Sequence, residues 1–188
     1  LKSNTKDDKT VFTMNGGELS HNVGGSVAGV INVMGSHPVE VNLLGGAVVN
    51  NSMSTTGANI ACISATNDGS TVVLGGVKFA GNTNKNGETI NALTLSTHNV
   101  TLIPTEDTDF QDPIYINNAY GSSKDVAIRV PEGLTKLKGK LPILLAKEFV
   151  GAATISGGTG EGAYALQPSD MEKVHVVNGI DGAYYLEV

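Results

Sequence analysis

The chain of 188 residues has one cysteine, one arginine, no tryptophan and only 5% aromatic residues. Each shortage excludes something. A single thiol, Cys62, cannot form an internal disulfide, and its apolar run IACIS marks it as a small buried hydrophobe rather than a reactive group. Twelve basic residues stand against 18 acidic ones, for a net charge of −6. No basic face is available to track phosphates, so nucleic acid is not an expected partner. The lone Arg129 also argues against sites for carboxylate or phosphate ligands, which favour the guanidinium fork. With so few rings, neither a base-stacking platform nor a deep aromatic sugar cleft is expected. No apolar run approaches the ~18 residues of a transmembrane helix, and no signal peptide is visible. The opening LKSNTKDDKT is polar and charged. Residues 1–10 therefore read as a flexible lead-in, or as a linker inside a longer protein.

What the chain has in excess is glycine, 24 residues, against a usual share of about 7%. It comes with Asn, Thr, Val and Ser, a composition of short strands joined by tight turns. The glycines recur in order. VFTMNGGELSHN, VEVNLLGGAVVNN and TVVLGGVKFAGN are versions of one unit. Their pairs Gly16-Gly17, Gly45-Gly46 and Gly75-Gly76 are separated by 29 and 30 residues. A fixed period of roughly 20–50 residues is the mark of a solenoid.

Aligned on these pairs, Met14, Leu43 and Val73 fall into one inward ladder, and Asn22, Asn51 and Asn82 close the units. Ile31, Ile60 and Ile90 follow the same steps and form a second ladder. Each unit holds three short strands and three turns, one coil of a parallel β-helix in which a strand pairs with its copy about 4.8 Å away. The polar stretches 50–59 and 81–88 are loops. The pattern assigns residues 11–103 to the coils. Residues 104–188 are a β-rich continuation or cap, with one short helix where Ser169 and Glu172 stand at capping-box spacing. A cap is needed because an open end exposes strand edges. The fold class is all-β.

The units FTMNGGELSHN and VVLGGVKFAGN resemble the rungs of large bacterial cell-surface proteins of the right-handed parallel β-helix (pectate-lyase-like, adhesin-like) type, which run Phe-Thr-Met-x-Gly-Gly-x-Ile-x-x-Asn. DPIYINNAYGSSKDVAIRV is similar to segments that close such repeat blocks. The resemblance implies right-handedness, secretion to the cell surface, and an architecture more than one activity.

Candidate sites are few. Asp107, Asp109 and Asp112, with Glu106, are the densest acidic group and the one calcium candidate, since calcium takes six to eight oxygens. They lack the central glycine of an EF-hand loop, and a solvated acidic loop is the favoured reading. The glycine-rich 157–162 stretch partly matches a calcium nonapeptide but lacks its aspartate and its copies. The four histidines, His21, His37, His98 and His175, show no metal-ligand spacing. Asn22, Asn51 and Asn82 fit a hydrogen-bonded ladder serving turn backbone better than ligand contacts.

No catalytic constellation is found. The expected function is a non-enzymatic, adhesive or spacer module of a larger secreted or cell-surface bacterial protein, with host or bacterial surface glycans or proteins as partners and no cofactor beyond that calcium. The alternative is a carbohydrate-active β-helix enzyme, a lyase or hydrolase, whose carboxylates would come from Asp107, Asp109 and Asp112.

Overall fold

The computed structural model describes residues 2–3, 10–25, 28–35, 37–57, 60–65, 67, 69–96, 100–117, 127–128, 134, 136–139, 141–145, 175–178 and 184–187. The short helix expected near Ser169 and the 157–162 glycine run lie outside these residues.

The described chain is an all-β parallel solenoid. The first three coils each lay down one strand on each of three main sheets, and strands pair with their copies about 30 residues away. One sheet stacks Thr10–Met14, Val39–Leu43, Thr71–Leu74, Thr101–Pro104 and Ala127–Ile128, all parallel. A second stacks Glu18–Ser20, Ala47–Val49 and Lys78–Ala80. A third, wider sheet stacks Lys2–Ser3, Ala28–Gly35, Ala61–Ala65, Asn91–Ser96, Ile114–Asn117 and Pro142–Leu145. Val23–Gly24 pairs with Ser52–Met53 as a short strand at a corner.

Parallel stacking thus runs beyond residue 104, into Pro142–Leu145. There the direction changes. Tyr184–Glu187 joins Pro142–Leu145 antiparallel, and His175–Asn178 pairs antiparallel with Tyr184–Glu187. This pair extends the wide sheet by two antiparallel strands beyond the last parallel one, with His175–Asn178 at its edge.

Alternation sets the core. In Val39–Leu43 the residues Val39, Val41 and Leu43 are buried while Glu40 and Asn42 are half-buried, the period of two of a strand with one face inward. Across coils the inward ladders are Phe12, Val41, Val72 and Leu102, and Met14, Leu43, Leu74 and Pro104. Leu74, not Val73, therefore occupies the third rung, and Val73 stacks on Asn42 on the outer side. Glycine alignment misplaces it by one because one residue separates the inward side chain from the glycine pair in the first two coils (Asn15, Leu44) and none does in the third.

The isoleucine ladder is corrected in the same way. Ile31 pairs with Ile63, and Ile63 with Leu93, Leu93 with Ile114 and Ile114 with Ile143. The displacement arises because Ile31 follows Met14 by 17 residues whereas Ile63 follows Leu43 by 20, three more in the second coil. Ile60 and Ile90 precede their strands and are buried in the same core.

Candidate functional site

The densest polar structure in the solenoid is a column of amides at the corner after the second sheet. The residue before each ladder asparagine has left-handed backbone: His21 at φ 57°, Asn50 at 55° and Gly81 at 65°. Asn and His tolerate this region better than most residues, and glycine adopts it freely. At Gly81 a Cβ would also sit 2.5 Å from Asn50 Oδ1, so a side chain there would displace the Asn50 amide.

That turn brings Asn22, Asn51 and Asn82 into register. Asn22 donates its backbone N–H and its Nδ2–H to Asn51 Oδ1, at 3.0 and 2.9 Å. Asn51 does the same to Asn82 Oδ1, at 3.1 and 2.9 Å. The spare side-chain donors reach strand carbonyls: Asn51 Nδ2 to Leu19 O and Val49 O, and Asn82 Nδ2 to Val48 O at 2.8 Å. Asn51 and Asn82 are buried, and such groups are tolerable only when paired. The ladder expected from the spacing is present.

The column has a direction. Each coil donates to the one after it and accepts from the one before it. At the first coil Asn22 is exposed, and among the described residues its Oδ1 has no donor. At the far end stands Asp112, where the register calls for the next rung. The Asn82 side chain hydrogen-bonds its carboxyl, yet Asp112 Oδ2 is buried and has no partner. Burial pushes the Asp112 pKa up, and the Asn82 hydrogen bond opposes that shift only in part. A carboxylate can accept from Asn82 but has no N–H to pass on, so the column stops there.

The acidic loop is divided by this arrangement. Thr108, Phe110 and Asp112 are buried, while Asp107, Asp109 and Gln111 are exposed. Asp107 and Asp109 face solvent, and Asp112 faces the core. Asp109 accepts from Gln111 Nε2 at 3.2 Å and lies directly over Gly139, where a side chain would collide with it. Glu106 and Asp107 line an open groove with Lys136, Leu137 and Lys138. Among the described residues, no three His, Cys, Asp or Glu side chains converge as a metal-binding group. His21 and Asn50 do occupy equivalent turn positions, so no histidine column forms there.

The buried anchor of this loop is a second finding that spacing alone did not single out. Thr108 Oγ1 donates to Leu74 O at 2.6 Å, and Thr105 donates both N–H and Oγ1 to the same carbonyl. The Phe110 ring packs on Phe79 at a centroid distance of 5.0 Å. Phe79 itself tops the ladder of Leu19 and Val48. A phenylalanine two or three residues before a ladder position (Phe79 before Asn82, Phe110 before Asp112) is the signal that could have located the fourth rung.

Cys62 is fully buried, and its pKa is pushed up by burial first and by the Asp112 charge second. It is therefore held as a neutral thiol. Among the described residues no helix is long and apolar enough to cross a membrane.

These features define a parallel β-solenoid protein with an internal asparagine ladder. Comparison with known families, characterised proteins and solved structures finds no match to this chain.

Proposed function

We propose that the chain is a non-enzymatic module of a larger, exported bacterial repeat protein, in which the solenoid acts as a spacer and its outer faces as an adhesive surface. The observation that carries this reading is the extendable first coil. Lys2–Ser3 already pairs in parallel with Met34 and Gly35, as a strand of a preceding coil would. On the same end Asn22 offers the acceptor that inner coils use to bind their predecessor. A structure that repeats one interface and, among the described residues, leaves its asparagine acceptor open at one end suits a segment of a longer stack. The likeness of its units to adhesin-type rungs supports a place at the bacterial surface, with glycans or proteins of host or bacterium as partners.

The test is binding of the purified chain to arrays of glycans and matrix proteins, with and without calcium, alongside incubation with acidic polysaccharides. Saturable binding to one class, without product, is the expected result. New reducing or unsaturated ends in a polysaccharide would overturn it in favour of a carbohydrate-active enzyme using the acidic loop. Silence on every surface would remove the adhesive role and leave the spacer.

A further inference from the structure

We propose that Asn15–Gly16 is a site of spontaneous backbone modification, in which the chain converts its own asparagine through a succinimide. This inference goes beyond the adhesive reading and does not rest on it.

The chain contains three Asn–Gly pairs, Asn15–Gly16, Asn86–Gly87 and Asn178–Gly179. The last reaches outside the described residues. In such a pair the glycine nitrogen can attack the asparagine side-chain carbon, because glycine has no side chain to obstruct the approach. The N–Cγ bond forms, the Cγ–Nδ2 bond breaks, and the amide proton leaves with the nitrogen as ammonia. Water then opens the five-membered ring at either carbonyl, giving an aspartyl or an isoaspartyl linkage. The step needs a glycine N–H free to be deprotonated and a side-chain amide free to rotate over it.

The two described pairs differ in just these respects. At Asn86–Gly87 the attacking nitrogen is engaged: Gly87 N–H donates to Asn84 O at 3.0 Å. Asn86 N–H is held by Asn84 Oδ1 at 2.9 Å, and the same oxygen takes Glu88 N–H. The turn is tied from inside.

At Asn15–Gly16, among the described residues, nothing holds either partner. Both residues are exposed, and neither the Gly16 N–H nor the Asn15 side chain has a hydrogen bond. The reason lies in the coil order. Gly45, which follows the same strand one coil later, donates its N–H to Met14 O at 3.0 Å. Gly16 stands at the open end and has no such acceptor. A Cβ added to Gly16 would meet nothing within 4 Å, so the space beside this glycine is open. The modification is therefore a property of the uncovered first coil, and stacking a further coil there would suppress it as Met14 O does for Gly45.

The product matters to the stack. The Asn15 carbonyl lies so close to Gly45 that a Cβ there would be 2.7 Å from it. An isoaspartyl linkage lengthens the main chain by one carbon at this contact and adds a negative charge.

The experiment is to incubate the folded chain at mildly alkaline pH and physiological temperature, then map peptides by mass spectrometry. Conversion at Asn15 several-fold faster than at Asn86 is expected, with the difference lost in denaturing urea. Gly16→Ala, which the open space accommodates, should leave the circular dichroism spectrum intact and suppress conversion at Asn15. Equal or slower conversion at Asn15 in the folded chain, or unchanged conversion in the Gly16→Ala variant, would overturn the proposal.

Discussion

Asn82 Oδ1 accepts both the backbone N–H and the side-chain amide of Asn51, so one buried oxygen ties two donors of the preceding coil. Removing the Asn82 side chain leaves four groups short of partners: Asn51 N–H, Asn51 Nδ2 in part, Val48 O and the Asp112 carboxyl. Each buried unsatisfied group costs about 1–3 kcal/mol. Asn82→Ala is therefore expected to lower unfolding stability by about 3–5 kcal/mol, again on that scale. Asn22→Ala, at the exposed end, should cost less than about 1 kcal/mol because water replaces what is lost. Urea unfolding with an unchanged m-value checks both. Equal losses at the two positions would show that the column does not act as a buried network.

Asp112 makes stability depend on pH in an unusual direction for a carboxylate. Its pKa is raised in the folded chain by burial, so the folded state holds this proton more tightly than the unfolded state does. The stability it contributes is complete below the ordinary aspartate range and is lost as pH rises through the raised value. Asp112→Asn removes the titration and is expected to be more stable than the parent at neutral pH. Urea midpoints measured from acid to neutral pH should fall less steeply for the variant. Parallel curves for the two proteins would refute this assignment.

The Phe79–Phe110 contact fastens the loop that carries Asp112 to the third coil. Both rings are buried, and their tilted packing at 5.0 Å is a favourable aromatic geometry. Phe110→Ala should destabilise by about 3–5 kcal/mol, the usual cost of deleting a buried ring. Phe110→Leu should cost under half of that. Chemical denaturation distinguishes them. A small effect of the alanine variant would mean that the loop does not share the core's cooperativity.

Gly17 and Gly46 hold the same corner in successive coils, at φ 81° and 101°. Alanine at Gly17 meets nothing within 4 Å, so only the left-handed strain of about 1–2 kcal/mol is expected. Alanine at Gly46 would also strike Gly17 O at 2.6 Å and Gly16 C at 2.8 Å. Overpacking adds about 1–3 kcal/mol to the same strain. Thermal unfolding of the two variants should therefore separate clearly, with Gly46→Ala the weaker. Similar melting temperatures would show that the coils separate easily at this corner.

Much of the architecture is legible in the residues themselves. A period near 30, valine-rich alternation and paired glycines can be satisfied only by strands that meet their own copies, because no single coil buries its apolar face. The column of Asn22, Asn51 and Asn82 follows from the same period, since identical amides stacked at strand spacing bond to one another. Cys62 is buried, as its apolar neighbours require.

Tertiary structure decided the register and the fate of the acids. Side-chain direction alternates with each residue, so one residue more or less at a glycine corner moves a ladder from the inner face to the outer. That is why Leu74 takes the rung read for Val73, while Ile63 takes the one read for Ile60 because the second coil carries three more residues between its first and third strands. In the acidic loop the same alternation turns Asp112 into the core and leaves Asp107 and Asp109 outside, separating three residues that look alike in sequence. Local composition could define a charged loop. Only the stacking of Phe110 on Phe79 and the reach of Asn82 to the next coil determine which carboxylate ends the ladder, because both contacts join residues about 30 positions apart.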